Sequence, residues 1–158
     1  MDSNFQSYDY QTPLFSLASP DKKPARVVGV HDGDTLACII KVGDLYSRFM
    51  VRLKGIDTPE MTSHDTVIKE RAIGVRNYVI FSITGHPLCK AKGTRIEICK
   101  FLCEKVYMVD LVCSDMDKYG RLLADVFVNG MSTSINADLI EKGFANAYDG
   151  GHKLGFVS

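Results

Sequence analysis

The chain has 158 residues, of which 46% are hydrophobic and 24% are charged, proportions that are typical of a globular protein. This length suits one ordinary domain with a single core, so neither wholesale disorder nor a fibrous repeat is expected. Nineteen basic residues balance nineteen acidic ones, which excludes a strong long-range attraction of the whole molecule for a polyanion. Any binding of a polyanion must therefore come from a local patch.

The longest apolar stretches are far shorter than the roughly 20 residues that cross a bilayer, so no membrane association is expected. Residues 1 to 24 show no basic start followed by an apolar stretch of signal-peptide length. The five cysteines are odd in number and lack the dense spacing of a small secreted scaffold, which favours free thiols, most of them buried, in a reducing compartment. We therefore expect an intracellular, cytoplasmic protein, and the sequence leaves open whether an organism or a virus makes it.

The first 24 residues are polar and aperiodic, and we interpret them as a flexible arm ahead of a domain at residues 25 to 158. Three short runs rich in β-branched and aromatic residues follow, separated by turns that contain Asp and Gly. The runs are RVVGV at 26 to 30, TLACIIKV at 35 to 42 and YSRFMVRLKGI at 46 to 56. They predict three antiparallel strands joined by tight turns.

The third of these runs should present two different faces, because side chains alternate along a strand. Its apolar face contains Phe49, Val51 and Leu53, and its other face contains Arg48, Arg52 and Lys54. We therefore expect one face in the core and one exposed basic face.

A helical period begins after residue 65. The apolar residues that recur at intervals of three and four are Ile68, Ala72, Val75, Val79 and Ile83. Gly85 and Pro87 are typical of the end of such a helix. A second, short helix is predicted from the Thr-x-x-Glu capping box at residues 94 to 97 through about Cys103.

The last part of the domain is predicted to contain two more strands and a helix. VYMVDLVC at 106 to 113 and LLADVFVN at 122 to 129 flank a polar turn, and STSINADLIEKG at 132 to 143 has a Ser/Thr cap and a closing Gly. Five strands with a helix after the third and another after the fifth indicate an α+β, mainly β fold. The predicted architecture is a five-stranded Greek-key barrel of the oligonucleotide-binding (OB) type with two to three helices.

Three charged clusters lie at the ends of predicted strands: HDGDT at 31 to 35, RLKGIDTPE at 52 to 60 and DKYGR at 117 to 121. Each cluster alone is explained as an ordinary turn. A closed barrel, however, brings the ends of strands that are distant in sequence to the same rim. The three clusters are therefore candidates for one shared site.

The order and spacing of these clusters resemble those of the staphylococcal-nuclease family, whose members are also called thermonucleases. The resemblance rests on Asp32-Gly33-Asp34-Thr35, on Arg52 followed by Asp57-Thr58-Pro59-Glu60, and on Asp117-Lys118-Tyr119-Gly120-Arg121. It covers roughly residues 26 to 148, and INADLIEKGFA is similar to the family's helix after the barrel. It implies Ca²⁺-dependent hydrolysis of DNA or RNA that leaves 3′-phosphate and 5′-hydroxyl ends.

The resemblance also implies a metal site. Asp34, Asp57 and the backbone carbonyl of Thr58 would bind Ca²⁺, and Asp32 would be an outer partner of these ligands. Carboxylate and carbonyl oxygens are the donors that Ca²⁺ takes in proteins. The cofactor expected from the resemblance is therefore a calcium ion.

The remaining site residues are assigned in the same way. Glu60 matches the position that orients or deprotonates the attacking water, and we leave these two roles open. Arg52 and Arg121 match the two arginines that hold the phosphate, since guanidinium groups can donate paired hydrogen bonds to its oxygens. Lys118 and Tyr148 lie where family members have side chains near the substrate, although a plain surface role stays open for both.

Two other functions remain as alternatives. A catalytically silent module would hold nucleic acid or a protein with the same barrel, but the complete set of six catalytic positions favours an enzyme. An oligonucleotide-binding protein would stack bases on aromatic residues, and the third predicted strand has few of these on its basic face. We therefore predict an endonuclease with nucleic acid as its partner.

An extra segment at about residues 85 to 105 departs from the bacterial secreted members of the family. Its His86, Cys89, Cys99 and Cys103 are of the residue types that bind zinc. An insertion helix with buried thiols explains the same residues without a metal, and we prefer this interpretation.

Overall fold

The protein is described by a computed structural model that covers residues 3–86 and 93–148, and a closed five-stranded barrel forms its centre. The barrel strands are β1 (Lys23–Asp32), β2 (Thr35–Val42), β3 (Leu45–Leu53), β5 (Met108–Met116) and β6 (Leu122–Val128), and the short strands β4 (Ile56–Asp57) and β7 (Asn146–Ala147) pair with each other. The helices are α1 (Thr66–Thr84), α2 (Arg95–Cys103) and α3 (Ile135–Glu141), with one 3-10 turn at Ser3–Ser7.

The strands follow one another around the barrel in the order β1, β2, β3, β6, β5, and β5 closes it against β1. Neighbours are antiparallel except β3 and β6, which run parallel where Val51 pairs with Leu122 and Leu53 with Ala124. This arrangement confirms the predicted mainly β, OB-type barrel with its helices after the third and fifth barrel strands. It also brings the end of β3 beside the start of β6, which contributes to the site described below.

Several strand boundaries differ from the prediction; β5, for example, covers Met108–Met116 rather than residues 106 to 113. β1 begins at Lys23 rather than at residue 26, because residues 23–26 pair with residues 108–111 of the distant strand β5. β3 ends at Leu53 rather than at residue 56, because the chain turns at Gly55, whose φ of 78° favours glycine. After this turn the chain forms β4.

The segment before β1 contacts the barrel in its last part. Ser19 donates its backbone N–H to the carbonyl of Cys113, and Ser16 Oγ lies 2.9 Å from Asp115 Oδ1. These bonds join residues 16 to 19 to β5, while most side chains from residue 4 to residue 15 are exposed. The division into a flexible arm and a domain stays a prediction.

Helix α1 buries four of the five residues of the predicted stripe, Ala72, Val75, Val79 and Ile83, whereas Ile68 is only partly buried. It begins after Asp65, whose carboxylate accepts hydrogen bonds from the first turn, and it ends at Gly85 with a φ of 72°. The predicted helix and its glycine stop are therefore confirmed, and Pro87 lies outside the described residues.

The other two helices were also predicted, with small differences in length. Thr94 and Glu97 form the predicted capping box, and α2 ends at Cys103. Helix α3 begins after Ser134, which supplies the predicted Ser/Thr cap, and the predicted Gly143 closes it with a φ of 74°. No helix within the described ranges has the length and apolar character needed to cross a membrane.

The cysteines only partly match the expectation. The four described cysteines are free; Cys38 and Cys113 are buried, Cys99 is partly buried and Cys103 is exposed. Half of the described thiols are thus buried, not most of them. Cys89 lies outside the described residues.

Candidate active site

A cleft of about 990 Å³ lies at one end of the barrel, where the β1–β2 turn, the end of β3 and the turn before β6 meet. All nine residues proposed from the sequence line this cleft: Asp32, Asp34, Arg52, Asp57, Thr58, Glu60, Lys118, Arg121 and Tyr148. The structure therefore brings together the three sequence clusters. The chemical roles of these residues stay predictions.

The floor of the cleft consists of Asp34, Arg52, Asp57 and Thr58, all of which are buried. Arg52 Nη1 lies 2.9 Å from Asp34 Oδ2, and Arg52 Nη2 lies 3.4 Å from Asp57 Oδ1. The backbone N–H of Thr58 donates to the same Asp34 oxygen at 3.2 Å. Two carboxylates from different clusters are thus held on one guanidinium.

The burial of Arg52 contradicts the exposed basic face predicted for β3. Only 8% of Arg52 is exposed, whereas Arg48 and Lys54 are exposed as predicted. Strand alternation points Arg52 away from the barrel interior, but the chain after β3 folds back and places Asp57 against it. Such a covering segment is a tertiary feature that alternation alone does not predict.

The β1–β2 turn positions Asp34. A Cβ atom on Gly33 would lie 2.5 Å from Val75 Cγ1 of α1, so only glycine lets the helix approach this turn without a shift. Thr35 donates its hydroxyl to Asp34 Oδ1 at 3.0 Å, and the Asp34 carbonyl accepts the N–H of Leu53 at 2.8 Å. Both the backbone and the carboxylate of Asp34 are therefore fixed.

Asp32 lies beside the floor and is half-buried. Burial raises the pKa of its carboxyl group, and the negative charge of Asp34 raises it further. A hydrogen bond from the backbone of Met61 and the charge of Arg95 act in the opposite direction, but the net shift is upward. Burial and the neighbouring charge of Asp34 thus both disfavour the charged form of Asp32.

Glu60 lies at the mouth of the cleft, not in its floor. It follows the buried Pro59, and its side chain is exposed, while the backbone carbonyl of Glu60 accepts the N–H of Ser63 at 3.3 Å. This position gives the carboxylate access to solvent next to the floor.

The rim hairpin, residues 117–121, forms the opposite side of the cleft. Asp117 Oδ1 accepts the backbone N–H groups of Tyr119 and Arg121, and Asp117 Oδ2 accepts Arg121 Nε at 2.7 Å. Partial burial acts to raise the pKa of Asp117, but these hydrogen bonds outweigh it and hold the pKa below its usual value. One aspartate therefore shapes the turn and orients Arg121.

Residues 50–153 match the family model described as staphylococcal nuclease homologue. This chain belongs to the staphylococcal nuclease family. An uncharacterized protein of Methanocaldococcus jannaschii is 29% identical in an alignment of 153 residues that covers 90% of this chain and 67% of that protein. A Haemophilus influenzae protein named as an uncharacterized endonuclease is 31% identical in an alignment of 137 residues that covers 85% of this chain and 58% of that protein.

The nuclease-family cleft also contains residues to which the sequence analysis gave no role. Tyr119 is 71% exposed, and its ring centroid lies 5.2 Å from Lys118 Nζ and 5.4 Å from Arg121 Cζ. The sequence signal for a role of Tyr119 was its place between two cationic residues, Lys118 and Arg121, in the motif at residues 117 to 121.

Asn136 fixes the backbone beside the cleft, and the sequence analysis gave this residue no role either. Its Nδ2 donates to the carbonyls of Lys54 and Ala124, and its Oδ1 accepts the N–H of Val126. This buried amide joins β6 to the turn between β3 and β4. Its only sequence signal was a polar residue in the first turn of an amphipathic helix.

The floor residues fit a calcium ion by charge and by donor type. Asp34 and Asp57 together carry two negative charges against the one positive charge of Arg52, and Thr58 Oγ1 is buried without a hydrogen-bond partner among the described residues. Carboxylate and carbonyl oxygens are the hard donors that Ca²⁺ prefers. The predicted set has only two carboxylate side chains, and the described part of the chain contains no group of three or more His, Cys, Asp or Glu residues arranged for a metal.

The zinc alternative gains no support from the described residues. His86, Cys99 and Cys103 do not form a metal-binding group there, and Cys89 lies outside the described ranges. The helix of the preferred interpretation is present as α2, but its thiols are not buried as expected, because Cys99 is partly buried and Cys103 is exposed.

Proposed function

We propose that this protein is a Ca²⁺-dependent endonuclease that hydrolyses phosphodiester bonds of DNA, RNA or both to 3′-phosphate and 5′-hydroxyl ends. The observation that carries the proposal is the meeting of Asp34, Asp57 and Arg52 in the floor of the cleft that Glu60 and Arg121 also line. Family membership and the endonuclease name of the H. influenzae relative support the same reaction class.

The scissile phosphate would lie between the floor and the rim hairpin, where Arg52 and Arg121 approach it from two sides. Arg52 Nη1 contacts Asp34 and the carbonyl of Leu53, and Nη2 contacts Asp57, which leaves one Nη2 hydrogen and the Nε hydrogen as donors for a phosphate. Arg121 is anchored through Nε, and its terminal nitrogens point to no acidic partner among the described residues. Both cations would stabilise the negative charge that grows on phosphorus in the transition state.

Asp34, Asp57 and the carbonyl of Thr58 would hold Ca²⁺, which supplies polarisation of the phosphoryl group when bound. Glu60, at the mouth, would accept a hydrogen bond from the attacking water and orient it in line with the bond that breaks. It would also take up the water's proton to the extent that a carboxylate is basic enough. Arginine does not readily give up a proton, so solvent would protonate the leaving oxygen.

The direct test of this assignment is Glu60→Gln, which keeps the size of the side chain and removes its charge. With Ca²⁺ and a labelled oligonucleotide, we expect the cleavage rate to fall by a factor on the order of 10² to 10⁴. Glu70→Gln is the matched control, because Glu70 is exposed on α1 and does not line the cleft. A Glu60→Gln protein that cleaves at the wild-type rate would show that the water is positioned by another group.

A further inference from the structure

Lys54 lines the cleft directly after β3, at a position fixed by its backbone. Its N–H donates to the carbonyl of Ala124 at 2.9 Å, and its carbonyl accepts Asn136 Nδ2 at 2.9 Å. Its Nζ lies 3.0 Å from Ser114 Oγ on β5, so the side chain crosses the outer surface of β6, the strand between β3 and β5. The ammonium group therefore lies over the outer face of β6, beside the cleft, because its partner Ser114 is not among the residues that line the cleft.

The charge of Lys54 is balanced differently from that of the two arginines. Arg52 is paired with Asp34 and Asp57, and Arg121 is paired with Asp117. Lys54, within the described part of the chain, has a neutral hydroxyl as its side-chain partner. An ammonium group has three donors, so the bond to Ser114 leaves two of them for an anion.

We propose that Lys54 and Ser114 form a subsite for a second phosphate of the substrate strand, next to the scissile phosphate. This inference rests on the proposed nuclease function. Lys54 follows Arg52 by two residues, and its side chain extends from the cleft over β6, the direction in which we place the strand beyond the scissile phosphate. Leu123 of β6 also lines the cleft, and its apolar side chain suits the sugar between the two phosphates.

The subsite is specific for the phosphate backbone and not for a base. A lysine ammonium binds phosphate as a point charge, and a hydroxyl adds a hydrogen bond without selecting a sequence. The subsite should therefore strengthen the binding of any strand that has a phosphate adjacent to the one being cleaved. It should act on KM more than on kcat, because the second phosphate does not react.

The test compares Lys54→Gln with Lys41→Gln, which removes the same charge from an exposed lysine of β2 outside the cleft. Cleavage of single-stranded oligonucleotides by both variants and by wild type is measured with Ca²⁺ at several salt concentrations. For Lys54→Gln we expect KM to rise about fivefold for both oligo-dT and oligo-dA, and the salt dependence to weaken by about one phosphate contact. Lys41→Gln should match wild type, and Lys54→Arg should restore most of the salt dependence.

A second substrate separates a phosphate subsite from a general loss of activity. Bis(4-nitrophenyl) phosphate carries a single phosphodiester, so the effect of Lys54→Gln should be smaller on this substrate than on the oligonucleotides. Equal losses on both substrates, a loss that depends on the base, or a Lys54→Gln protein that matches Lys41→Gln would overturn the subsite. If wild type cleaves neither substrate, the proposed nuclease function itself is wrong.

Discussion

The floor of the cleft and the rim hairpin each hold one arginine, but they hold it by different means. In the floor, Arg52 is 8% exposed and is fixed by Asp34 and Asp57, which come from two different segments of the chain. In the rim hairpin, Arg121 is partly exposed and is fixed by Asp117, only four residues away. The floor therefore depends on the whole barrel, whereas the rim depends on one local turn.

This difference predicts how each region responds to change. A buried ion pair that loses one partner leaves an uncompensated charge, and its loss is expensive. A partly exposed pair is screened by water, so its loss costs less. Substitutions in the floor should therefore impair both catalysis and folding, whereas substitutions in the rim hairpin should change mainly the rate.

Among substitutions in the floor and the rim hairpin, the largest effect is expected from Arg52→Lys in the floor. Lysine cannot reproduce two-sided contacts with Asp34 and Asp57 and still donate a pair of hydrogen bonds to phosphate. We expect kcat/KM to fall on the order of 10²-fold to 10³-fold in a nuclease assay with Ca²⁺. Arg48→Lys, the same change at an exposed position of β3, is the control and should keep the wild-type rate.

An Arg52→Lys protein with nearly normal kcat/KM would contradict the role of the floor guanidinium. Thermal unfolding of the same sample shows whether the variant is folded. A folded variant with the expected rate loss separates the chemical role of Arg52 from its contribution to stability.

A smaller effect is expected from Asp117→Asn in the rim hairpin. The Oδ1 of asparagine can still accept the backbone N–H groups of Tyr119 and Arg121, but the NH2 group in place of Oδ2 cannot accept the bond from Arg121 Nε. We expect kcat/KM to fall about tenfold, with little change in the unfolding midpoint. Asp115→Asn, on the neighbouring β5, is the control and should keep the wild-type rate. If Asp117→Asn loses as much activity as Arg52→Lys, the rim hairpin is as sensitive to substitution as the floor.

The smallest effect on catalysis is expected from removing the hydrogen bond between Tyr78 and Asp138, which lies outside both the floor and the rim hairpin. Tyr78 of α1 donates its hydroxyl to Asp138 Oδ2 of α3 at 2.5 Å, and Lys142 Nζ lies 2.9 Å from Asp138 Oδ1. Tyr78→Phe should leave kcat/KM unchanged and lower the free energy of unfolding by about 1 kcal/mol. Tyr46→Phe, at an exposed position of β3, is the control and should change neither quantity.

The same pair predicts a pH dependence of stability. Partial burial acts to raise the pKa of Asp138, but hydrogen bonds from Tyr78 and Lys142 outweigh it and lower the pKa from its ordinary 3.8. A lowered pKa means that the stabilisation is present above pH 3.8 and is lost as the pH falls toward the folded-state pKa. The stability difference between wild type and Tyr78→Phe, measured by denaturant unfolding, should therefore shrink below this pH; a constant difference would contradict the charged hydrogen bond.

The sequence predicted most of the fold because its signals are local. The Asp-Gly and Gly-Asp turns, the stripe of α1 and the capping box at Thr94 each lie within a few residues, and each agrees with the structure. The missed features involve pairing between distant segments. The early start of β1 depends on β5, and the parallel contact of β3 with β6 cannot be recognised from either strand alone.

In the candidate site, too, local signals were predicted and contacts between distant segments were missed. The three motifs identified which residues line one cleft, because their order and spacing resemble a known family. They did not show that Arg52 is buried, since this depends on the segment that folds over β3. They also gave no sign that Asn136 supports the turn at Lys54, because a buried amide bond is visible only when α3, β6 and the end of β3 are placed together.

We propose that this cleft hydrolyses nucleic acid with calcium, and the terminal groups of the product strands are the most direct measurement of that reaction. Wild-type protein is incubated with end-labelled DNA and RNA oligonucleotides, with Ca²⁺ and with a chelator, and the products are analysed for their terminal groups. For the proposed endonuclease we expect cleavage with Ca²⁺, no cleavage with the chelator, and products with 3′-phosphate and 5′-hydroxyl ends. Cleavage that survives chelation, products with 3′-hydroxyl ends, or no cleavage of either nucleic acid would contradict it.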